Sequence, residues 1–487
     1  MYTWLPLVSA ADVARLTQHI DREYAPAVVA QKIADGLSGA VKAILIERNY
    51  IDKDYRSTYY NFYSHKGLRY RPDCVRLHFF DQTVTFDEPR LNLATSDITG
   101  SLTDHYFGFM VLRPTGINTI GRSVLTPDIR KGASRYTITA PHKVHLLGNR
   151  LVIHGFPSMD QHIDIAVCAH VACWSILRHY SERFSSYREY LTHEITLLAQ
   201  QFDPGGINPS RGLALSQAER IFQAASTYPL IVARELKNKN DVSFYRQLAA
   251  YVDSGLPLFA AVHNKGHAMA VVGYDWRAPL KTGVPGMRYA WDEVEKLGIV
   301  DDNHLPYLSI PVDGGVYSAK DIDSFIVALP EKVFYPADAI DKLVPTLFKL
   351  GNFLQLPPAE QTIIRYFITT SSALREFVRS HASEFDRQLI EAVMKLPFAQ
   401  FLWVVEFATE KQWEVRQISG RAIVDATASL TESYPFWIFH GLRRALVFGR
   451  YAVSVDFKKD MGVLDMADLG HGGFTRWDRN LRPTQTK

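Results

Sequence analysis

Apolar and polar residues change their spacing several times along the chain. Between residues 9 and 40, apolar residues recur every three or four positions, which predicts helix, with Pro26 marking a break. From about residue 45 onwards, short alternating or apolar runs are separated by turn residues, which predicts a small antiparallel sheet. Residues 1–154 are therefore predicted to form an N-terminal region of helix plus antiparallel strands.

The middle of the chain, residues 155–335, alternates between the helical and the strand pattern. Helix is predicted for residues 165–182 and for the segments LALSQAERIFQAAST and VSFYRQLAAYVDSG. Strand is predicted for LPLFAAV, GHAMAVVGYDW and LGIVDD. The second strand is apolar almost throughout, so we expect it to be buried on both faces.

The last region, residues 336–487, is predicted to be mostly helical with some strand. Residues 338–397 carry the helical pattern, most clearly in AEQTIIRYFITTSSALREFVRSH. FLWVVEFAT and WEVRQISGRAIVDAT predict a pair of strands behind it. The chain as a whole is thus predicted to be an α+β protein of three regions, with boundaries near residues 155 and 335.

Composition narrows the class of protein. The chain has 487 residues, too many for one core, and a net charge of +3 with the signs interspersed, which does not suggest a nucleic-acid binder. Three cysteines fit no disulfide framework and favour a reducing compartment. The start of the chain lacks the pattern of a signal peptide, and no apolar run reaches the roughly 18 residues of a spanning helix. We expect a cytoplasmic protein without a membrane or nucleic-acid partner.

The segment CAHVACWSILRHY carries the first candidate for chemistry. Cys168 stands where a helix is predicted to begin, and the free N–H groups at a helix N-terminus stabilise a thiolate. Cys173 is predicted to be core packing. A metal site in this segment is disfavoured, because Cys168 and His170 lie about 200° apart around a helix and the usual C-x-x-C spacing is absent. We expect no metal and no cofactor.

A thiol nucleophile needs a base and a group that orients the base. His267 begins the apolar strand of NKGHAMAVVGYDW, and Asp301 and Asp302 end the strand of GIVDDNHLPY. If these two strands form a hairpin, the carboxylates return beside the imidazole. Asp275 is excluded, because eight strand residues separate it from His267 by roughly 26 Å.

These three segments, taken in order, resemble the papain-like cysteine peptidases, in the branch of the bacteriocin-processing (double-glycine leader) peptidases. CAHVACWSILRHY is similar to the helix that carries the branch's cysteine, GHAMAVVGYD to its histidine strand, and VDDN to the segment with its catalytic Asp. The resemblance covers roughly residues 155–335. It implies a papain-like domain with a Cys-His-Asp triad, in a stand-alone relative without transporter segments.

The resemblance also implies a role for each matched position. Cys168 would be the nucleophile, His267 the base, and Asp301 the group that orients the imidazole, with Asp302 as the near alternative. The oxyanion hole would combine the backbone N–H of Cys168 with an upstream side chain. The family uses a Gln, most often six residues before the cysteine; here Gln161 lies seven before it and His162 six before it.

The leading hypothesis is a bacterial cysteine peptidase that hydrolyses a peptide or isopeptide bond in a specific protein through a thioester. Two alternatives remain open. The same triad could pass the acyl group to an amine, as an acyltransferase or transglutaminase-like enzyme does, or the papain-like unit could be a degenerate binding or scaffold protein. We expect a protein or peptide substrate and a regulatory protein partner.

Overall fold

The computed structural model of the chain combines helices with largely antiparallel sheets, as the α+β prediction requires. It describes residues 2–65, 70–87, 92–95, 101–161, 167–200, 213–235, 237–280, 286–432, 435–448, 461–478, 480 and 482–483. The helices are α1 Leu16–His19, α2 Ala27–Gly36, α3 Lys53–Asn61, α4 Cys168–Arg183, α5 Thr192–Gln200, α6 Leu215–Ala224, α7 Val242–Asp253, α8 Ala337–Phe353, α9 Ser371–Ser380, α10 Arg387–Lys395 and α11 Glu410–Glu414.

The strands of the described residues fall into three large sheets and two small ribbons. In chain order they are β1 Tyr2–Pro6, β2 Ala43–Tyr50, β3 Cys74–Phe80, β4 Val84–Asp87, β5 Asn92–Thr95, β6 Tyr106–Leu112, β7 Ile120–Leu125, β8 Tyr136–Thr137, β9 Ala140–Leu146, β10 Asn149–Ser158, β11 Tyr228–Ala233, β12 Leu258–Val262, β13 His267–Trp276, β14 Arg288–Tyr289, β15 Val294–Val300, β16 Leu308–Pro311, β17 Ser324–Leu329, β18 Ile363–Thr370, β19 Phe401–Ala408, β20 Gln417–Ile418, β21 Gly420–Asp425, β22 Phe436–His440, β23 Arg444–Phe448, β24 Met461–Asp465, β25 Phe474–Thr475 and β26 Arg482–Pro483.

The N-terminal sheet has the order β1-β2-β3-β6-β7-β10-β9. Its central strands β3 and β6 are buried along their whole length, whereas β9 alternates between buried and exposed positions, as an outer strand with one solvated face does. Pro26 stands immediately before α2, so the predicted break is where a new helix begins. The predicted antiparallel sheet is confirmed.

The central sheet has the order β11-β17-β12-β13-β15-β16; in addition β8 pairs with β13, and β26 pairs with β8. The predicted helices α4, α6 and α7 and the predicted strands β12, β13 and β15 are confirmed within a few residues. Seven consecutive residues of β13, Ala268–Tyr274, are buried, because α4 and α7 pack against this strand. The apolar run therefore places β13 at the centre of the protein, with His267 at its first position.

The C-terminal sheet corrects the prediction of a mostly helical region. Its order is β14-β18-β19-β21-β22-β23-β24, and β14 pairs with β18 in the parallel sense. Strand β18 occupies the first half of the segment predicted most clearly as helix; only α9 follows it as predicted. The first seven residues of β18 are buried, and a strand that is apolar on both faces cannot be told from a buried helix by its period.

A buried charge network joins helix α7 to the C-terminal sheet. Arg365 of β18 donates to Asp253 at the end of α7 (2.6 and 2.8 Å) and to Glu406 of β19 (3.0 Å). Glu406 also accepts from Arg421 of β21 at 2.8 Å. These side chains are almost completely buried, so each charge depends on its partners for the solvation it has lost.

In the part of the chain that the structure describes, no helix combines the length and the apolar character that crossing a bilayer requires.

Candidate active site

Four residues singled out from the sequence come together at one end of the central sheet. Cys168 is the first residue of α4, and its N–H group lies in the first turn, where backbone donors have no partner inside the helix. His267 is the first residue of β13, and Asp301 and Asp302 directly follow β15. Because β13 and β15 pair antiparallel, the end of β15 returns to the beginning of β13. The predicted strand pairing is confirmed; the catalytic roles remain predictions.

Cys168 differs from the other two cysteines in its surroundings. All three are free thiols, but Cys74 and Cys173 are completely buried, whereas Cys168 is partly exposed. Burial raises the pKa of both Cys74 and Cys173. Cys168 interacts with the ring of His267 instead. Of the three thiols, Cys168 alone combines access for a substrate with a neighbouring base.

The His267 ring faces both carboxylates. Its Nε2 atom lies 3.6 Å from Oδ2 of Asp301 and 3.8 Å from Oδ1 of Asp302. Both distances exceed a hydrogen bond and describe ion-pair contacts. Burial opposes protonation of the ring, but the interactions with Asp301 and Cys168 and the charge of Asp302 outweigh it and raise the pKa of His267 to about 10. The surroundings thus favour an imidazolium beside the thiol at neutral pH.

The two carboxylates have different environments. Asp301 accepts hydrogen bonds from the backbone N–H of His304 (3.0 Å) and from its ring Nδ1 (3.0 and 3.1 Å). Although burial opposes it, the contacts with His267 and His304 hold the pKa of Asp301 well below its usual range. For Asp302, burial and the charge of Asp301 outweigh the attraction of His267 and raise the pKa to about 6. Asp301 is therefore the stronger candidate for a permanent negative charge.

Two side chains of the site were missed in the sequence analysis. His304 fixes Asp301, and its position three residues further on in DDNH is a spacing at which a carboxylate commonly accepts from the backbone, so this signal could have been recognised. Tyr317 stacks on the His267 ring with centroids 5.5 Å apart and planes at 25°. Lys265 Nζ lies 4.9 Å from the Tyr317 ring centroid. No spacing in the sequence connects Tyr317 with His267.

The N-terminal region also reaches the site. Lys32 of α2 binds Oδ1 of Asp160 at 2.6 Å and the backbone carbonyl of Asp302 at 3.1 Å. A cavity of about 440 Å³ lies beside these contacts and is lined by α2, the 117–118 turn and residues 302–305. A Cβ on Gly36 would lie 2.5 Å from Leu305 Cδ1, so the close approach of α2 to this loop requires a glycine or a shift of Leu305.

The predicted oxyanion-hole residues are only partly within the described chain. Gln161 is partly exposed and directly follows Asp160, which Lys32 anchors. His162 lies outside the described residues. The donor role of Gln161 therefore remains a prediction.

The same cluster offers the ligand atoms of a metal site. One atom each from His267, Asp301 and Asp302 lies within 4.8 Å of the others. An imidazole nitrogen and two carboxylate oxygens are donors that divalent cations accept.

Replacing His304 by alanine tests which carboxylate orients His267. The substitution removes the ring contact to Asp301 but keeps the backbone N–H, so Asp301 loses its fixed orientation while Asp302 is untouched. We expect the alkylation rate of Cys168 at pH 6 to fall about tenfold, as for other outer contacts of a functional group. Asp301→Asn should have a larger effect than Asp302→Asn in the same assay. An unchanged rate in His304→Ala, with a large loss in Asp302→Asn, would assign the orienting role to Asp302.

A comparison with known protein families gives no match to this chain, and comparisons with curated proteins and with solved structures give none either.

Proposed function

We propose that the chain is a cysteine peptidase with a papain-like central unit, which hydrolyses a peptide or isopeptide bond in a protein substrate. The observation that carries the proposal is the accessible thiol of Cys168 at the start of α4, in contact with a histidine that two buried carboxylates face. A thiol, a base and an orienting acid are the minimum set for nucleophilic catalysis by cysteine. All three stand on the ends of regular elements, which hold them in place.

The proposed reaction begins with proton transfer from Cys168 to His267. The thiolate attacks the carbonyl carbon of the scissile bond, and the tetrahedral oxyanion is stabilised by the backbone N–H of Cys168. Collapse of this intermediate breaks the C–N bond, and the His267 imidazolium protonates the departing amine. Water, deprotonated by His267, then attacks the thioester, and the acid product and the free thiol are released. Asp301 keeps the imidazolium oriented and compensates its charge throughout.

The three free cysteines fit the same proposal. A catalytic thiol must stay reduced, which favours a cytoplasmic setting.

The expectation of a specific substrate is likewise a proposal. The cavity between α2 and residues 302–305 offers a place where one side chain of that substrate could bind.

The test is the pH dependence of alkylation at each cysteine, followed by mass spectrometry after brief exposure to iodoacetamide. An unperturbed thiol has a pKa near 8.5, so only about 0.3% of it is thiolate at pH 6. If His267 holds the proton of Cys168, labelling at pH 6 should be within a few-fold of labelling at pH 8.5. In His267→Ala the rate at pH 6 should fall roughly 30- to 100-fold.

Two controls separate reactivity from unfolding. Cys74 and Cys173 are completely buried, so they must stay unlabelled as long as the protein is folded. His263→Ala removes an exposed histidine from the turn just before His267 and should leave the rate unchanged. If Cys168 reacts only near pH 8–9 in the wild type, the peptidase proposal fails for the isolated chain, and a binding or scaffold role becomes the better explanation.

A further inference from the structure

Two buried polar atoms of the candidate site face each other without a hydrogen-bond partner among the described residues. They are Nε2 of His267 and Oδ1 of Asp302, which lie 3.8 Å apart. The exposed fraction of the His267 side chain is 9% and that of the Asp302 side chain is 2%. Bulk water therefore has little access to these two atoms. Buried polar atoms are nearly always paired, and a bound ion would supply the close partner that the 3.8 Å ion-pair contact does not give these two atoms.

The spacing of these atoms suits a metal ion better than it suits a hydrogen bond. Nε2 of His267 lies 3.6 Å from Asp301 Oδ2 and 3.8 Å from Asp302 Oδ1, whereas a hydrogen bond would bring such atoms to about 2.7–3.2 Å. Ligands of a tetrahedral zinc ion, bound at about 2.0–2.2 Å, are separated from one another by roughly 3.3–3.6 Å. The two distances from His267 are within a few tenths of an ångström of this separation, and one ligand atom from each of the three residues lies within 4.8 Å of the others.

The surroundings hold these ligand atoms in place. The ring of His304 donates to both oxygens of Asp301, which is the outer hydrogen bond that commonly orients a ligating carboxylate. The carbonyl of Asp302 accepts from Lys32, which fixes the backbone of that residue. Tyr317 stacks on the His267 ring and limits its rotation. These contacts hold all three ligand residues in place.

We propose that His267, Asp301 and Asp302 bind one Zn²⁺ ion and that this ion reversibly switches off the Cys168 site. The binding follows from the three ligand atoms; its regulatory consequence rests on the proposed peptidase function. When Nε2 is coordinated, the ring cannot hold protons on both nitrogens, so the thiolate–imidazolium pair cannot form. Zn²⁺ does not modify the Cys168 thiol, so removing the ion with a chelator restores the thiolate–imidazolium pair.

The experiment measures Zn²⁺ binding to the full chain by competition with a chromophoric chelator, so that its readout is independent of activity. The wild type should bind one Zn²⁺ per chain. Asp302→Asn and His267→Ala should bind at least 30-fold more weakly, and His304→Ala about tenfold more weakly, as expected for an outer contact. Asp313→Asn, which changes an exposed carboxylate, is the matched control and should bind as the wild type does. Circular dichroism of each variant verifies that it is folded.

The variant Cys168→Ala distinguishes Zn²⁺ bound by His267 and the two carboxylates from Zn²⁺ bound through the sulfur of Cys168. In our proposal this variant binds Zn²⁺ within about threefold of the wild type. Loss of binding in Cys168→Ala, or equal binding in the wild type, Asp302→Asn and His267→Ala, overturns the proposal. In the wild type, one equivalent of Zn²⁺ should reduce the alkylation of Cys168 at pH 6 to the level of His267→Ala, and EDTA should reverse it.

The peptidase proposal and the zinc-site proposal fail in different ways. If Zn²⁺ binds as described but Cys168 is unreactive at pH 6 after EDTA, the metal site stands and the peptidase proposal fails. If Cys168 is reactive at pH 6 but Zn²⁺ does not bind, the metal site fails and the peptidase proposal stands.

Discussion

Replacing Asp54 by alanine should lower the free energy of unfolding by about 3–5 kcal/mol, because it breaks a buried ion pair with Arg178 and leaves that arginine only the partly exposed carboxylate of Glu189. Asp54 belongs to α3 of the N-terminal region, and the exposed fraction of its side chain is 5%. Its carboxylate accepts from Arg178 at 2.9 and 3.1 Å and from the indole nitrogen of Trp174 at 3.1 Å. Both donors lie on α4, the helix that begins with Cys168.

The measurement is urea-induced unfolding at pH 7.5, followed by near-ultraviolet circular dichroism. Asp21→Ala is the control, because the Asp21 side chain is largely exposed and its 3.6 Å contact with Arg71 should contribute less than about 1 kcal/mol. Asp54→Asn keeps one of the two acceptor oxygens and should fall between the two. A loss below 1 kcal/mol in Asp54→Ala would show that the N-terminal region does not hold α4 through this contact.

Below pH 6.5 the protein should lose stability steeply, because several histidines are buried in the neutral form. Burial lowers the pKa of His78 to about 4 and the pKa values of His142 and His440 to about 3, from an ordinary value of 6.5. Between pH 6.5 and about 4 the unfolded chain therefore binds protons that the folded chain does not. Each such group makes the free energy of unfolding fall by about 1.4 kcal/mol per pH unit as the pH decreases, or about 4 kcal/mol per unit for the three. Asp302, whose raised pKa acts in the opposite direction, offsets part of this loss below pH 6.

His440→Phe isolates one of these groups. The His440 ring packs edge-on against Phe474, with centroids 4.8 Å apart, so phenylalanine keeps the aromatic contact and removes the titration. Urea unfolding at several pH values from 5 to 7 should show a slope smaller by about 1.4 kcal/mol per pH unit. His145→Phe, at an exposed position of β9, should leave the slope as it is. An unchanged slope in His440→Phe would mean that this histidine already takes up its proton in the folded protein.

The local features of the candidate site could be predicted from the sequence. An apolar run identifies β13 because both of its faces are covered, and residues placed at strand and helix ends, such as His267 and Cys168, lie where the chain leaves the core. The antiparallel return of β15 then places Asp301 beside the imidazole. These predictions depend on the spacing of apolar residues and on the direction of consecutive strands, and both can be read from residues close together in the sequence.

The remaining features depend on contacts between distant parts of the chain. Strand β18 was predicted as helix, because what makes it a strand is its pairing with β19 and the burial of both of its faces, not its own period. The stacking of Tyr317 on His267 and the contact of Lys32 with Asp302 leave no trace in local spacing. Only His304, three residues after Asp301, carried a local signal that could have been recognised.

The candidate site is built from residues that are far apart in the chain, and the contact between Lys32 and Asp302 beside it spans 270 positions. The parts of the site are therefore synthesised at different times. Cys168 is translated 133 residues before Asp301 (301 − 168), which at about 5–20 residues per second corresponds to roughly 7–27 s. Throughout this interval the growing chain contains the helix that begins with Cys168 but lacks Asp301, the carboxylate that faces the His267 ring. For the proposed peptidase, Cys168, His267 and Asp301 are therefore all present only after about 300 residues have been made.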